Sequence, residues 1–321
     1  MIESNLIKLL KDSKNLLAFS GGVDSTALFF ILQQNSIPFD IAIVDYNLRE
    51  QSKEEIDYAK ELATKFNKRV YISSAPKYNN NFEAKARAFR YSFFEAIIAE
   101  KGYNNLLTAH QLDDKLEWLL MRLSKGAGVL TLSGMQKIQK REEYNIIRPL
   151  INTTKDELLK YLDTNKIKYF VDKSNFNIKY ERNQFRPIAK DLLKYGKEGF
   201  NRSFELLLNE ANIIKRGFNL KFKEKELRVI ELKSKEYAPY ALNFYLKELN
   251  YLISYNEQIL ILKQNSIVVG RKWAVEIVDN ILYIAPFIKI PIPKKIRENY
   301  RKLKIPPKIR GYIFSNKISL K

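Results

Sequence analysis

The hexapeptide Ser20-Gly21-Gly22-Val23-Asp24-Ser25 constrains the fold of this 321-residue chain more than any other segment. The apolar residues 16–19 before it predict a buried strand, and residues 26–32 after it predict a helix. A glycine-rich turn between a strand and a helix leaves several backbone N–H groups unpaired, and the helix N-terminus adds a partial positive charge. The segment therefore predicts an anion site, and phosphate is the usual anion there.

This loop differs from two common phosphate-binding motifs. The Walker A motif needs a lysine after its glycines, which is absent here, and G-x-G-x-x-G does not match either. The hydroxyls of Ser20 and Ser25 can donate to phosphate, and the carboxylate of Asp24 can bind a divalent cation. The pattern S-G-G-x-D-S resembles the PP-loop of ATP pyrophosphatases, which implies that residues 20–25 bind ATP with Mg²⁺ at Asp24. An ordinary turn with Ser and Asp capping the helix is the alternative.

Strands and helices alternate through the first half of the chain. This alternation is typical of an α/β fold with a doubly wound parallel sheet and helices on both faces. Ligands of such sheets bind at the carboxyl ends of the strands, where the glycine loop, Asp45-Tyr46-Asn47 and His110-Gln111 are expected. The predicted strands are residues 16–19, 41–44, 70–73 and 105–109, and the predicted helices are residues 25–34, 53–66, 82–100 and 112–123.

The second half of the chain has a different pattern. Residues 153–165 predict a helix capped by Asn152 or Thr153, and residues 187–225 predict a basic helical linker. Residues 237–249 predict another helix, and residues 272–278 and 281–285 predict a hairpin that turns at Asp279-Asn280. We therefore expect a nucleotide-binding domain with a helical linker over residues 1–216, and a small basic α+β domain over residues 217–321.

The charge of the chain predicts a polyanionic partner. Lys and Arg number 56 against 36 Asp and Glu, a formal net charge of +20, which favours nucleic acid first and an anionic membrane surface second. Residues 191–321 hold 26 basic residues against 13 acidic ones, and residues 289–321 hold 11 basic residues and the single acid Glu298. A genome that favours lysine codons is the alternative explanation for the bulk charge.

Composition also excludes several classes of chemistry. The chain has no cysteine, so disulfides, cysteine-ligated metals and cysteine nucleophiles are excluded. Its one histidine, His110, argues against a zinc site. No apolar run approaches the length of a membrane span, and the first residues lack the pattern of a secretory signal. We therefore expect a cytoplasmic protein.

Three acids stand near the predicted start of the helix over residues 112–123. Asp113 and Glu117 are one turn apart and share a face, with Asp114 between them in sequence. Acids at the carboxyl end of a strand can hold a cationic substrate group or a metal ion. The alternative is that they only complement the helix dipole.

Two arginine pairs are candidates for binding phosphate. Arg87 and Arg90 lie on one stripe of a predicted helix, and Arg182 and Arg186 are spaced i, i+4 after Asp172-Lys173-Ser174-Asn175. Guanidinium groups bind phosphate with two parallel hydrogen bonds. A solvated helix face is the alternative for both pairs.

These segments occur in an order and spacing that are similar to those of one family. In order they are the hexapeptide, Asn47-Leu48-Arg49, residues 83–91, Leu107-Thr108-Ala109-His110 with Asp113, Asp114 and Glu117, Gly126-Ala127-Gly128, residues 132–135, Arg148-Pro149-Leu150, and Arg182-Asn183 with Arg186. The set resembles the tRNA(Ile)-lysidine synthetases, which implies a PP-loop sheet like that of the adenine nucleotide α-hydrolases. The resemblance covers about residues 14–190 and the C-terminal third only loosely.

The resemblance implies modification of the wobble cytidine in the CAU anticodon of tRNA(Ile). ATP adenylates the C2 oxygen and pyrophosphate leaves; the amine of free lysine then attacks C2 and AMP leaves. A basic tail from Lys289 and the helical stretch over 190–225 would contact tRNA phosphates. The expected roles are catalytic for Asp24, Arg87, Asp114, Glu117 and Arg182, lysine-binding for Asp114 and Glu117, and tRNA-binding for Arg90, Arg186, Lys294, Lys295 and Arg297.

The chain departs from the family at some positions, and other functions remain open. Family members often carry two histidines where this chain has His110-Gln111, and a histidine where it has Tyr46. An ammonia-using NAD synthetase is one alternative, although it would not need the basic tail. A non-catalytic RNA-binding protein is another, against which the intact loop and the acids argue. Both a monomer and a homodimer are compatible with the sequence.

Overall fold

The computed structural model describes residues 1–46, 51–78, 80–171 and 181–320. These residues form two compact units, Met1–Phe204 and Glu205–Lys321. The domain boundary expected after residue 216 lies directly before the first strand of the second unit, which begins at Phe218. Among the helices of the described ranges, none is both long enough and apolar enough to cross a bilayer.

The first unit alternates strands and helices as the sequence predicts. Its strands are β1 (Asn15–Ala18), β2 (Phe39–Asp45), β3 (Val70–Ser74), β4 (Asn105–Leu107), β5 (Ile138–Lys140) and β6 (Asn145–Ile147). Its helices are α1 (Ser4–Lys11), α2 (Val23–Gln34), α3 (Gln51–Lys65), α4 (Phe82–Lys101), α5 (Leu112–Leu123), α6 (Val129–Leu132), α7 (Lys155–Thr164) and α8 (Glu181–Leu193), and α9 (Lys197–Lys215) continues into the second unit.

The strands of the first unit form one sheet in the order β3-β2-β1-β4-β6-β5. All pairs are parallel except β5 with β6, so the predicted parallel sheet carries one antiparallel edge strand that the sequence did not reveal. The chain order reverses between β1 and β4, which makes their carboxyl ends the switch point of the sheet. The glycine loop follows β1 and the segment around His110 follows β4, so both lie at this switch point.

Successive side chains of β1 point to opposite faces of the sheet, and both faces are buried under helices. Leu17 faces a core formed with α1, α2, α3 and α7, while Leu16 faces a second core formed with α4. Both leucines are fully buried. A strand that is apolar on both sides is the pattern of a parallel sheet covered by two helical layers, which confirms the doubly wound prediction.

The predicted cap of α7 was wrong by one residue. Thr154 is the N-cap, and its hydroxyl accepts a hydrogen bond from the Glu157 N–H while the Glu157 carboxylate accepts from the Thr154 N–H. Thr153 is buried one residue earlier, where its carbonyl accepts from the Leu112 N–H at 2.9 Å. This contact with the start of α5 depends on tertiary structure, which local sequence does not reveal.

The predicted helical linker ends earlier than expected. The helices α8 and α9 occupy much of residues 187–225, but Phe218–Glu224 form a strand, β7, which contradicts the helical prediction there. The burial of Phe218, Leu220 and Phe222 alternates with exposed residues at the period of a strand. Lys221 and Lys223, on the exposed face of this strand, contributed to the basic character on which the linker prediction rested.

The second unit is the α+β fold that the sequence predicts. Its strands are β7, β8 (Leu227–Leu232), β9 (Ser266–Val269), β10 (Trp273–Val278) and β11 (Ile281–Pro286), in the antiparallel order β7-β8-β11-β10-β9. The predicted hairpin is β10–β11, and both turn residues, Asp279 and Asn280, have a positive φ. Its helices are α10 (Ala238–Glu248), α11 (Tyr255–Lys263), α12 (Lys294–Lys302) and α13 (Pro307–Ser315).

Candidate active site

The glycine loop is closed by its own serines. The hydroxyl oxygens of Ser20 and Ser25 are 3.0 Å apart, and Ser25 Oγ donates to the Gly22 carbonyl at 3.2 Å. Ser25 is buried and Ser20 is exposed, so Ser25 braces the loop while Ser20 presents a hydroxyl to solvent. Gly22 is the N-cap of α2, which places the unpaired N–H groups of the first helical turn beside the loop.

Gly21 is the loop position that requires glycine. Its φ is +72°, and an added Cβ would lie 3.3 Å from side-chain atoms of Glu55 and Phe170. We expect Gly21→Ala to lower the free energy of unfolding by about 1–2 kcal/mol, because an L side chain is strained at this φ. Gly22→Ala is the matched control, since Gly22 has a φ of −75° and its Cβ would meet nothing closer than 3.6 Å. Urea unfolding of both variants tests this, and equal destabilisation would contradict it.

Asp24 is a half-buried acid in the first turn of α2, with a side chain that is 27% exposed. Its pKa is raised to about 6, mainly by burial and also by the negative charges of Asp114 and Asp113, while Lys155 and Arg182 oppose the rise. Its Oδ1 is buried without a hydrogen-bond partner, and its Oδ2 lies 3.8 Å from Lys155 Nζ. A carboxylate oxygen that lacks a donor in a cleft suits a cation. The residue therefore fits the expected Mg²⁺ site.

A metal at Asp24 would rely on substrate oxygens as well as on protein. Within the described ranges, no group of three or more His, Cys, Asp or Glu side chains is arranged to hold a metal ion. Mg²⁺ commonly binds through one or two carboxylates, substrate phosphates and water. One aspartate beside a phosphate loop is therefore a sufficient protein contribution.

The start of α5 fixes the positions of the expected lysine-binding acids. Gln111 caps the helix: its Oε1 accepts from the Asp113 N–H at 2.6 Å, while Asp114 Oδ2 accepts from the Gln111 N–H at 3.1 Å. Asp114 and Glu117 both face Arg182, whose Nε donates to Glu117 Oε2 at 2.5 Å and whose Nη2 donates to Asp114 Oδ1. Arg186 Nε donates to Glu117 Oε1 at 3.1 Å.

These contacts bring four of the expected functional residues into one ionic cluster, and Asp24 interacts electrostatically with Asp114 and Arg182 of this cluster. Burial opposes the charge of Arg182, but Asp114 and Glu117 dominate and raise its pKa above the ordinary arginine value. Both oxygens of Glu117 face guanidinium groups, and its side chain is 2% exposed, against 11% for Asp114. Asp114 is therefore the more accessible of the two acids.

Asp113, the third acid of this cluster, contacts the start of α7. Its Oδ2 accepts a hydrogen bond from the Lys155 N–H at 2.9 Å, which links α5 to the first residue of α7. Burial raises the pKa of the Asp113 carboxyl group, and the hydrogen bond from the Lys155 N–H opposes this rise. The carboxylate of Asp113 therefore helps to position the start of α7.

Arg87 and Arg90 lie on α4, near the carboxyl end of β2. The Arg87 guanidinium stacks 4.8 Å from the centre of the Tyr91 ring, and Arg90 hydrogen-bonds to the Tyr46 hydroxyl. Arg87 is exposed and Arg90 is half-buried. Stacking on Tyr91 leaves the donor edges of Arg87 available to a ligand.

His110 is uncharged at neutral pH. Burial lowers its pKa to about 4; Asp114 opposes the shift, and the positive charges of Arg148, Arg182 and Arg87 favour it. Its Nδ1 lies 2.9 Å from the Thr108 hydroxyl. The neutral ring therefore contributes no charge to the cluster of acids and arginines.

Sequence reasoning assigned no role to two cations that the fold brings to the site. Lys155 lies beside Asp24, and Arg148 is 4% exposed with its guanidinium donating to the Gln136 carbonyl at 2.8 Å and to Gln139 Oε1 at 3.1 Å. Arg148 was part of a matching segment, but no local signal marked Lys155. The matching segments Asn47-Leu48-Arg49 and residues 172–175 lie outside the described residues.

The fold and the loop together define the class of protein. A strand, a turn with the pattern S-G-G-x-D-S and a helix stand at the switch point of a parallel sheet, and a PP-loop domain family matches residues 2–192. The chain is thus a PP-loop protein, and ATP is its expected substrate. A solved structure of the U34-tRNA thiolase NcsA from Methanococcus maripaludis shares the fold, with a TM-score of 0.53 at 20% identity, over 63% of this chain and 74% of that one.

Relatives that match nearly the whole chain show which family of PP-loop proteins it belongs to. The chain is 45% identical to the tRNA(Ile)-lysidine synthase of Wolinella succinogenes, over 95% of this chain and 94% of the relative. It is 38% identical to that of Campylobacter jejuni, over 99% and 98%, and 40% identical to that of Helicobacter pylori, over 95% and 91%. The chain belongs to the tRNA(Ile)-lysidine synthase family.

Proposed function

We propose that this chain attaches free lysine to C2 of the wobble cytidine of tRNA(Ile) with a CAU anticodon, producing lysidine, AMP and pyrophosphate from ATP. The main support for this proposal is that the glycine loop and the acids of α5 lie together at the switch point of the sheet. The chain also matches tRNA(Ile)-lysidine synthases over nearly its whole length. A tRNA substrate also agrees with the net charge of +20. We expect the enzyme to act in the cytoplasm, where tRNA is modified.

The first step of the proposed reaction is attack of the cytidine C2 oxygen on the α-phosphorus of ATP. The bond to the bridging oxygen breaks, and pyrophosphate leaves with the electron pair. Negative charge develops on the transferring phosphate, and the N–H groups of the glycine loop and of the first turn of α2 are placed to stabilise it. Mg²⁺ held by Asp24 would neutralise charge on the phosphates.

The second step joins the amine of lysine to C2, and AMP leaves. The amine must lose a proton to become nucleophilic, and Asp114 is the more exposed acid that can hold the ammonium or accept that proton. His110 is a weak base for this purpose, because its pKa is about 4. Arg87 is exposed on α4, and we expect it to contact the activated cytidine or its phosphate.

Arg182 can link the two steps. Its side chain is 43% exposed, and it pairs with Asp114 and Glu117, the acids that we expect to receive lysine. A phosphate bound at the glycine loop would compete with these acids for the guanidinium. Movement of Arg182 towards phosphate would then release carboxylate oxygens for the lysine ammonium, so that lysine binds after ATP.

Incorporation of radiolabelled lysine into a tRNA(Ile) transcript with a CAU anticodon tests this function directly. With ATP and Mg²⁺ present, we expect label on this transcript and none on a matched transcript with uridine at the wobble position. Pyrophosphate should appear in step with the label. ATP cleavage without lysine transfer would point to another PP-loop modification, and ammonia-dependent amidation without tRNA binding would favour the NAD synthetase alternative.

The basic face of α12 is the proposed contact for tRNA phosphates in the second unit. Lys294, Lys295 and Arg297 are exposed, while Ile296 and Tyr300 on the other face are partly buried. Replacing the three cations with alanine should reduce tRNA affinity about tenfold or more and lower the slope of log K against log salt by about 2.

The matched control for α12 removes three exposed cations elsewhere, Lys8, Lys11 and Lys60. The control should lower tRNA affinity much less, and the KM for ATP should stay unchanged in both variants. Filter binding over a salt series measures the effect. Equal losses in the two variants would mean that α12 is not a specific contact.

A further inference from the structure

Lys155 reaches the glycine loop from a distant part of the chain. It is the first residue of α7, and its Nζ lies 3.8 Å from Asp24 Oδ2. Its side chain is 33% exposed, so the ammonium lies at the open side of the site rather than in the core. A lysine is therefore placed at a phosphate loop that has none in its own sequence.

The glycine loop has no lysine of its own that could contact the phosphates of ATP. In the Walker A motif, the lysine of the loop contacts the β- and γ-phosphates. Here Gly22 is followed by Val23 and Asp24, which adds negative charge. Phosphates entering this site would meet the Asp24 carboxylate, so a cation beside it is needed to offset the repulsion.

Hydrogen bonds of Lys155 and of the residues around it hold the start of α7 in place. Its N–H donates to Asp113 Oδ2 at 2.9 Å, Thr154 and Glu157 form a capping box around it, and the neighbouring Thr153 carbonyl accepts from the Leu112 N–H. Asp113 is itself buried on α5, next to the acids of the site. The start of α7 is therefore fixed relative to α5, while the flexible lysine stem can move the ammonium over a few Å.

We propose that Lys155 binds the β- and γ-phosphates of ATP and the departing pyrophosphate. In the absence of ATP its ammonium balances the charge of Asp24; in its presence the ammonium turns to the phosphates. There it stabilises the charge that the leaving pyrophosphate acquires as the bond to the α-phosphorus breaks. This role rests on the adenylation step proposed above, and it assigns to α7 the contact that a loop lysine makes in Walker proteins.

The binding of pyrophosphate to the free protein tests the role without requiring catalysis. We expect Lys155→Met to weaken Mg²⁺-pyrophosphate binding about tenfold or more by calorimetry, and to leave AMP binding within about twofold. Lys155→Arg should recover most of the affinity because it keeps the charge. Lys160→Met, on an exposed position of the same helix, should change neither ligand.

A kinetic measurement separates phosphate binding from a purely structural role. With tRNA present, Lys155→Met should lower kcat for ATP–pyrophosphate exchange about 100-fold, with recovery in Lys155→Arg. Unchanged pyrophosphate affinity in a folded Lys155→Met protein would overturn the proposal, as would equal losses for AMP and pyrophosphate. Pyrophosphate binding that depends on Lys155 in a protein without lysine transfer would sustain this role and reject the function proposed above.

Discussion

The Asp24→Asn variant is expected to lose ATP–pyrophosphate exchange by about a thousandfold while becoming more stable to urea at pH 8. The activity is lost because asparagine carries no charge and binds Mg²⁺ far more weakly than a carboxylate does. The Oδ1 atom that has no hydrogen-bond partner in the described structure is the one that we expect a cation to use. Exchange is measured with saturating tRNA and a range of Mg²⁺ concentrations.

The gain in stability follows from the raised pKa of Asp24. The pKa rises from 3.8 to about 6 on folding, so between these values the folded protein keeps a proton that the unfolded chain has lost. Stability therefore falls as the pH rises through this window, and above it the folded state bears a cost of about 1–3 kcal/mol. Asparagine removes this cost, so the variant should be more stable at pH 8, with the difference shrinking towards pH 4.5.

The exposed acid Asp12 provides the control for both measurements. Asp12→Asn should leave exchange unchanged. It should not show the pH-dependent gain in the free energy of unfolding that is expected for Asp24→Asn. An Asp24→Asn protein that keeps its exchange activity would remove Asp24 from the site. An inactive variant that is less stable at pH 8 would show that Asp24 serves as a structural partner of Lys155.

The sheet and its phosphate loop were predictable because their signals are local. Apolar runs of strand length, amphipathic helices and the S-G-G-x-D-S turn each occupy a short stretch of sequence. The hairpin at Asp279-Asn280 was predictable for the same reason, since both residues tolerate a positive φ. From such signals, parallel topology and the position of the switch point follow by general rules of chain connection.

The partners of the charged residues were not predictable, because they depend on tertiary structure. Asp113 and Asp114 are adjacent and alike in sequence, yet Asp113 accepts a hydrogen bond from the Lys155 N–H at the start of α7, whereas Asp114 pairs with Arg182. Which acid faces which helix depends on the rotation of α5 and on where α7 begins. Lys155 beside Asp24 is a contact of the same kind, and it lies in a stretch that sequence marks only as helix.

Glu117→Gln is expected to reduce transfer of lysine by about 100-fold or more, with a much smaller effect on adenylation. Glu117 is 2% exposed, and its two oxygens accept from Arg182 and Arg186. A glutamine has the same shape but turns an NH₂ group towards one of these guanidinium groups. The anionic subsite for lysine then loses one charge, and Arg182 and Arg186 each lose one charged contact.

The same substitution should lower the free energy of unfolding by about 1–3 kcal/mol. Removing one partner of a fully buried ion pair costs more than this, but Arg182 is 43% exposed and water can solvate it in part. Glu54→Gln, at an exposed position of α3, is the control and should change neither stability nor activity. Single-turnover transfer from preadenylated tRNA, measured beside ATP–pyrophosphate exchange, separates the two steps.

A double-mutant cycle with Arg186→Met decides whether Glu117 acts on lysine or only holds the arginines. If it only holds them, removing Arg186 as well should remove one of the guanidinium groups that Glu117 neutralises, and should restore both stability and the KM for lysine. If Glu117 forms part of the lysine subsite, the double variant should recover stability while transfer stays low and the KM for lysine stays raised. Equal loss of exchange and transfer in Glu117→Gln would contradict a lysine-specific role, because exchange needs no lysine.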